Sequence, residues 1–470
     1  MNDTLPSSTK KPGAYIGFNT TLANRNLPSN PQRVLVLAQR RSTGTVAALV
    51  PTQVFSDSAA ADFFGAGSAA HLMCRAAIKA NPLIDLTAIA VDDNAAGVMA
   101  AGTVTMTGPA TAAGVLTLWI AMKKVELAIA SGDSANSIAA ALNTLLGQIA
   151  DLPVTAGVAG AIVTLTAKHK GLIGNTIKVA KDANAALPAG VTATVVAMAA
   201  GATEPDVTNA LTAVFPVRYQ LIATQFSDAT NMGLLKTHLD TVSGKVEQRG
   251  ARGYTGLVGT YAASIAIAAA TPFERICHAW SRGSRALPCE LGAAYTAYRA
   301  SVDDPAMPLD DEVLPGIPVP PVQSDWPSRA EQESALDNGL TPLYVGVDNQ
   351  LHIARAITSY LTDAAGNPDE TLLDDNPIPI LDYVRDTVRA IPRPKKCTQK
   401  RADAYRDMIY AQLKKLERAE ILQDIDKYKD RLQVVANPED RPAGWFRVTI
   451  PAPYVPGLHV LDTTIELYCL

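Results

Sequence analysis

Six histidines, five cysteines and a few glycine clusters are the residues of this 470-residue chain whose types could support catalysis, metal binding or a phosphate cradle. Gly65-x-Gly67-x-x-Ala70 has the outline of a dinucleotide fingerprint, whose glycines would let a pyrophosphate approach backbone amides at a helix start. It follows a helix-like Ala60-Ala61-Asp62-Phe63-Phe64 where that chemistry needs a strand. Gly244-Lys245 is followed by Val246, so the hydroxyl that a P-loop sets on magnesium is missing, and no G-x-x-x-x-G-K-[ST] loop occurs. Gly250, Gly253 and Gly256 read as a flexible turn before a strand. A hydrolase triad needs a base, an orienting carboxylate and a serine on a sharp turn, and no G-x-S-x-G elbow accompanies His71, His278 or His352. His71 with Cys74, and Cys277-His278 with Cys289, offer two or three ligands where a closed zinc site takes four. The residues point to no catalytic group, cofactor or metal, and to Cys74 and Cys277 as buried thiols.

Composition narrows the partners. A net charge of -4 lacks the basic footprint of a nucleic-acid-binding chain. Five scattered cysteines are not a disulfide framework and suit a reducing compartment. The polar start, residues 1–11, does not read as a secretory signal, and the most apolar run, residues 262–270, is too short to cross a bilayer. We therefore expect a protein kept in the cytoplasm until it leaves by another route, with no membrane insertion and no nucleic acid.

The elements that would carry these residues alternate in type. Val34–Leu37 reads as a strand, residues 68–79 as a helix and Leu86–Val91 as a strand. The alternation resumes with a helix over 207–214, a strand over 219–223, a helix over 231–242 and a strand over 254–259. Thr271-Pro272-Phe273-Glu274 has the form of a capping box, which predicts a helix to about Trp280. Such alternation implies a mostly parallel sheet covered on both faces. Between residues 98 and 202 the chain turns to Ala, Gly, Thr and Val, with short strands and one helix over 134–149, which predicts an inserted β-rich domain. The proline-rich, acidic stretch 303–325 predicts a surface loop. Residues 343–347 and 351–357 read as strands joined at Asp348-Asn349, residues 398–424 as a long amphipathic helix, and 445–450 and 459–468 as strands.

Several segments taken in order resemble the tail sheath family of contractile phages, in its Mu-like branch. They are Pro12-Gly13-Ala14-Tyr15-Ile16, Gln32-Arg33-Val34-Leu35-Val36-Leu37, Phe64-Gly65-Ala66-Gly67-Ser68, Leu152-Pro153-Val154-Thr155-Ala156 and His169-Lys170-Gly171 with Gly174-Asn175. More specific are Asp337-Asn338-Gly339-Leu340-Thr341-Pro342-Leu343, Ile353-Ala354-Arg355-Ala356-Ile357-Thr358-Ser359-Tyr360, Leu381-Asp382-Tyr383-Val384-Arg385 and Leu416-Glu417-Arg418-Ala419-Glu420-Ile421. The resemblance implies an α/β protein whose three-layer, mostly parallel sheet core is subtilisin-like, with an inserted small β-rich domain and extended terminal strands. It implies a non-enzymatic structural subunit, assembled in the host cytoplasm and ending in the virion tail. Its copies would stack as hexameric rings, helically, around a tail tube and contract to drive the tube through the host envelope, with baseplate and tail terminator proteins as further partners. The division it suggests is an N-terminal extension over 1–30, a core over 31–97 and 204–340, an outer insertion over 98–203, a tube-facing domain over 341–456 and an exchanged strand over 457–470.

Two sets of residues carry that reading. Tyr15, Ile16 and Phe18 near one end, and Leu458, Val460, Leu461, Ile465 and Leu467 near the other, are the candidates for strands added to a neighbouring copy, with Pro451, Pro453 and Pro456 preventing a direct hairpin return. Between Arg385 and Arg431 fourteen Lys or Arg stand against eight Asp or Glu. Lys395, Lys396, Lys400, Arg401, Lys414, Lys415 and Arg418 are therefore candidates to face an acidic tube through weak, screened contacts, a solvated helix face being the bland alternative. The sheath of a phage-tail-like bacteriocin or secretion system, and from another class a subtilisin-like serine hydrolase, are the alternatives.

Overall fold

The computed structural model describes residues 30, 32–182, 184–363 and 365–467. The chain opens with β1 (Arg33–Gln39), β2 (Thr52–Gln53), α1 (Asp57–Phe64), α2 (Ala69–Ala80) and β3 (Asp85–Val91). Ser56 and Ser68 start the two helices by accepting the amides of Ala59 and His71. The insertion follows as β4 (Met99–Met106), β5 (Gly114–Ile120), β6 (Lys123–Ile129), α3 (Ala135–Gln148), β7 (Val154–Ala159), β8 (Ile162–Lys170), β9 (Val179–Lys181) and β10 (Ala193–Ala199). Then come α4 (Thr208–Val214), β11 (Leu221–Thr224), α5 (Ala229–Ser243), β12 (Arg252–Leu257), α6 (Tyr261–Ala270), β13 (Ile276–Trp280), α7 (Pro288–Ala300), α8 (Arg329–Leu336), β14 (Thr341–Val345) and β15 (Leu351–Ile353). The last elements are α9 (Pro377–Arg389), α10 (Gln399–Arg418), β16 (Gln433–Ala436) and β17 (Phe446–Thr449).

The main sheet has the order β15-β14-β13-β12-β11-β1-β3-β2. Its six central strands are parallel, and the short edge strands β15 and β2 run antiparallel to their neighbours. Alternate residues of β1 serve opposite faces. Val34, Val36 and Ala38 join a core with α2 and α7, while Leu35 and Leu37 join one with α4 and α5. The expected three-layer α/β arrangement follows from that double burial. The insertion forms two antiparallel sheets, β10-β4-β8-β7 and β6-β5-β9.

Several expectations need correction. No helix starts at Thr271; Ile276–Trp280 is a strand, all five residues buried, between β12 and β14. The helix lies one element earlier, where Thr260 caps Tyr261–Ala270. A capping pattern is local, and the β-prone Ile-Cys-His-Ala-Trp run gains more by filling the sheet than by continuing a helix. Gly253 and Gly256 are not a turn but lie inside β12. A Cβ on Gly256 would stand 2.2 Å from the Pro288 carbonyl oxygen and 2.6 Å from the Gly292 amide, so α7 can lie on the strand only because no side chain intervenes. Residues 303–325 are irregular as expected, yet Leu309, Leu314 and Ile317 plug the core rather than the surface. The amphipathic helix ends at Arg418, with Glu420 and Asp424 at positive φ beyond it. Residues 457–467 form no strand.

The described chain divides into two compact units. One holds residues 304–306 and 379–456; the other holds 32–303, 307–378 and 457–467, with the main sheet and the insertion. Residue 341 begins β14, and the chain passes from one unit to the other after residue 378.

Gly256→Ala should destabilise the main sheet by about 3 kcal/mol, because backbone atoms leave the methyl no escape. Gly233→Ala in α5, where nothing lies within 4 Å, should instead stabilise by roughly 0.5–1 kcal/mol. Urea denaturation of the two variants beside the parent measures both.

Candidate assembly surfaces

In an open α/β sheet, ligands bind at the carboxyl ends of strands where the winding reverses. Here that point lies between β1, with β3 on one side, and β11 on the other. It is filled. The Gln39 amide nitrogen donates to the Gln225 Oε1 at 2.8 Å, and Gln39 Nε2 donates to Asp93 Oδ1 at 2.8 Å and to the Lys170 carbonyl at 3.0 Å. Ala69, at the start of α2, donates its amide to His169 Nε2 at 3.0 Å, which leaves Nδ1 to donate to Asp93 at 2.8 Å. The end of β8 thus occupies the place of a ligand. A cavity of about 10 Å³ beside Gly67, Ala69 and His169 leaves room for little more than one water molecule.

Three further histidines differ in how they are held. Gly67 donates its amide to His71 Nδ1 at 3.0 Å, so Nε2 donates to Asp57 at 2.9 Å, and burial lowers the pKa of this ring. His278 is fully buried in β13 without a hydrogen-bond partner, and desolvation lowers its pKa to about 4. His352 bonds to the Asp311 carbonyl and to Asp348. Among the described residues no histidine ring nitrogen meets a serine hydroxyl.

A buried ionic cluster escaped the sequence reading. Asp375, 1% exposed, accepts from Arg252 at 2.8 Å, from Arg299 Nε at 3.1 Å and from the Tyr254 hydroxyl at 3.2 Å, with the Cys277 thiol at 3.4 Å. Desolvation and the carboxylate push the Cys277 thiol well up. Nothing in the spacing of Asp375 in the sequence announces two arginines more than seventy residues away. Glu204, where the insertion returns to the core, accepts the Leu172 amide at 2.7 Å through Oε1. Its Oε2 is buried without a partner, and desolvation raises its pKa to about 7 despite the Leu172 amide.

The sequence-predicted surfaces fall out unevenly. Tyr15, Ile16 and Phe18 lie outside the described residues. Leu458, Val460, Leu461, Ile465 and Leu467 are between 75% and 92% exposed, an unusual state for five aliphatic side chains in ten residues. The root of this run is fixed by His459, missed in the sequence, which pairs through Nδ1 with Asp310 and through Nε2 with Asp374 at 3.3 Å. In the other unit, Lys395, Lys396, Lys400, Arg401, Lys415 and Arg418 are exposed and, among the described residues, in no ion pair. Lys414 departs from them: Glu417 and Asp426, the latter at 3.1 Å, engage it within the unit. Among the described residues the sheet β16–β17 holds two strands. Beside β17 lies a groove of about 530 Å³ lined by Arg393, Lys395, Lys396, Phe446 and Val448.

Residues 200–359, from the end of the insertion through β15, match the model of the phage tail sheath protein central domain. The Mu-like prophage FluMu tail sheath protein of Haemophilus influenzae is 31% identical over 391 residues, covering 82% of this chain and 80% of that protein. The chain belongs to the phage tail sheath family. Among solved structures, the anti-feeding prophage baseplate contains a chain with TM-score 0.51 at 11% identity, covering 98% of this chain and 100% of that one, a likeness of fold. A sheath tail protein of Desulfitobacterium hafniense gives a TM-score of 0.49 at 14% identity over 93% of this chain and 99% of its own. As a sheath protein the chain is a structural component of a contractile tail, and the filled switch point agrees with that class.

Asp375→Asn should cost about 3–5 kcal/mol by leaving buried guanidinium charge uncompensated, read as a fall in the denaturation midpoint. Glu204 gives a pH signature. Its folded pKa lies above the unfolded value near 4.5, so its contribution is complete below that pH and is lost as pH rises through 7. Glu204→Gln should leave stability unchanged near pH 4.5 and raise it by on the order of 2 kcal/mol at pH 8, measured by thermal unfolding across that range.

Proposed function

We propose that copies of this chain stack as hexameric rings in a helical sleeve around a tail tube, and that contraction of the sleeve drives the tube through the host envelope. The observation that carries this reading is the exposed run 458–467, whose residues alternate as in a strand and which, among the described residues, joins no sheet. Added beside β17 in a neighbouring copy, it would set Asp462 near Arg393, Lys395 and Lys396, and lay its aliphatic residues by Phe446 and Val448. Tyr15, Ile16 and Phe18 are the proposed counterpart at the other end. The six unpaired cations of the 395–418 segment face the tube in this reading, as a field of screened contacts that guides docking without locking it. Baseplate and tail terminator proteins close the two ends of the sleeve. The core is a variant of the subtilisin-like α/β arrangement without its catalysis.

No nucleotide loop occurs in the sequence, so the work of contraction comes from the difference in packing energy between two assembled states, summed over many copies. A second reading, the sheath of an injection device outside a phage, draws on the likeness to the anti-feeding prophage chain, whereas the Mu-like relative favours a phage or prophage. Electron microscopy of the purified protein should show sleeves that shorten without added nucleotide. Removing residues 457–470 should leave folded, soluble monomers that build none. Normal sleeves from the truncated chain would sink strand exchange.

A further inference from the structure

Strand edges expose unpaired backbone amides and carbonyls, and natural sheets blunt them with charges, prolines or brevity. The molecule uses these devices elsewhere. The main sheet ends in strands of two and three residues, and the three-stranded sheet of the insertion ends in β6, with Lys123, Lys124 and Glu126, and β9, with Lys181. The four-stranded sheet is the exception. Its edges are Val-Thr-Ala-Gly-Val-Ala in β7 and Ala-Thr-Val-Val-Ala-Met-Ala in β10, neither holding a charge or a proline.

Strand direction makes these two edges complementary. Each neighbour in β10-β4-β8-β7 is antiparallel, so after four strands β7 runs opposite to β10. A second sheet placed alongside in the same orientation would continue the alternation without interruption. Side-chain faces continue as well. Thr194 stands opposite Thr105, Thr105 opposite Ile162, and Ile162 opposite Ala159, so these residues share the exposed face with Thr155, Gly157 and Val196. A bulge between Val196 and Ala199 limits the matching run in β10 to its first four residues.

We propose that β7 of one copy pairs antiparallel with β10 of the next, joining the outer insertions of adjacent copies in one continuous sheet. In this register Gly157 faces Thr194 of the next copy and Thr155 faces Val196, while on the inner face Ala156 meets Val195 and Val158 meets Ala193. Val158, 41% exposed in one chain, is covered. The contact is head-to-tail, the kind that a ring or helix of identical copies needs and a two-fold dimer cannot provide. It rests on the sheath reading and adds to it an outer contact separate from the terminal strand.

Disulfide trapping tests it, in full-length chains assembled into sleeves with Cys397→Ser and Cys469→Ser as background. Gly157→Cys is tolerable because nothing lies within 4 Å of its new Cβ, and Thr194 is exposed. The double variant Gly157→Cys/Thr194→Cys should oxidise to a ladder of dimers, trimers and longer species. Either single variant should give none, and Thr155→Cys/Val196→Cys should repeat the ladder. Ala156→Cys/Thr194→Cys, with its thiols on opposite faces, should not. Intact sleeves without a ladder, or cross-linked dimers from Gly157→Cys alone, would overturn this contact and leave the sheath reading standing. Chains that build no sleeve at all would overturn both.

Discussion

A single buried carboxylate fixes how the main sheet is closed. Asp375 draws together Arg252 and Tyr254 of β12, Cys277 of β13 and Arg299 of α7, and it stands in the loop just before the chain leaves this unit at residue 378. Desolvating such a cluster consumes most of the Coulombic attraction, so it is a poor source of net stability. Its value lies in discrimination: any other path for the loop leaves arginine charge in the core, a penalty of several kcal/mol. The exit of the chain is thereby specified, in a protein whose remaining work depends on surfaces held at defined places.

Those surfaces share one property, which is that a single copy does not satisfy them. Among the described residues, the aliphatic side chains in 458–467 stay exposed, β16–β17 holds two strands, and the four-stranded sheet of the insertion ends on two neutral edges. The anchoring of His459 between Asp310 and Asp374 limits the entropy that ordering the terminal run would cost on pairing.

Legibility in the sequence followed the range of the forces involved. β1, α2, β3, α4, β11 and α5 could be read because period and capping are local, and both are strong there. β13 was misread because Thr-Pro-Phe-Glu is a good local helix signal that tertiary burial overrides. Gly256 was misread because its partner, Gly292, is remote in sequence. The insertion showed itself by composition, but β7 and β9 did not, one being rich in small residues and the other only three residues long. Of the candidate surfaces, exposed lysines and aliphatic residues were visible as residue types. That Lys414 is engaged by Glu417 and Asp426, and that His459 anchors the terminal run, depend on contacts between separated segments.

The separation of charge from neutral strand edges fits a device that must hold and then yield. Exposed cations in 395–418 interact over a Debye length of roughly 10 Å, weakly and without a fixed register, so a partner can slide past them. A paired strand edge behaves differently: its hydrogen bonds have register, and slipping by one residue turns every side chain to the wrong face. In the proposed reading, contacts of the first kind suit a surface that must part from a tube. Contacts of the second kind suit copies that must stay joined while their packing changes. In that reading, a chain carrying both, on different segments, would change its angle to its neighbours without losing hold of them.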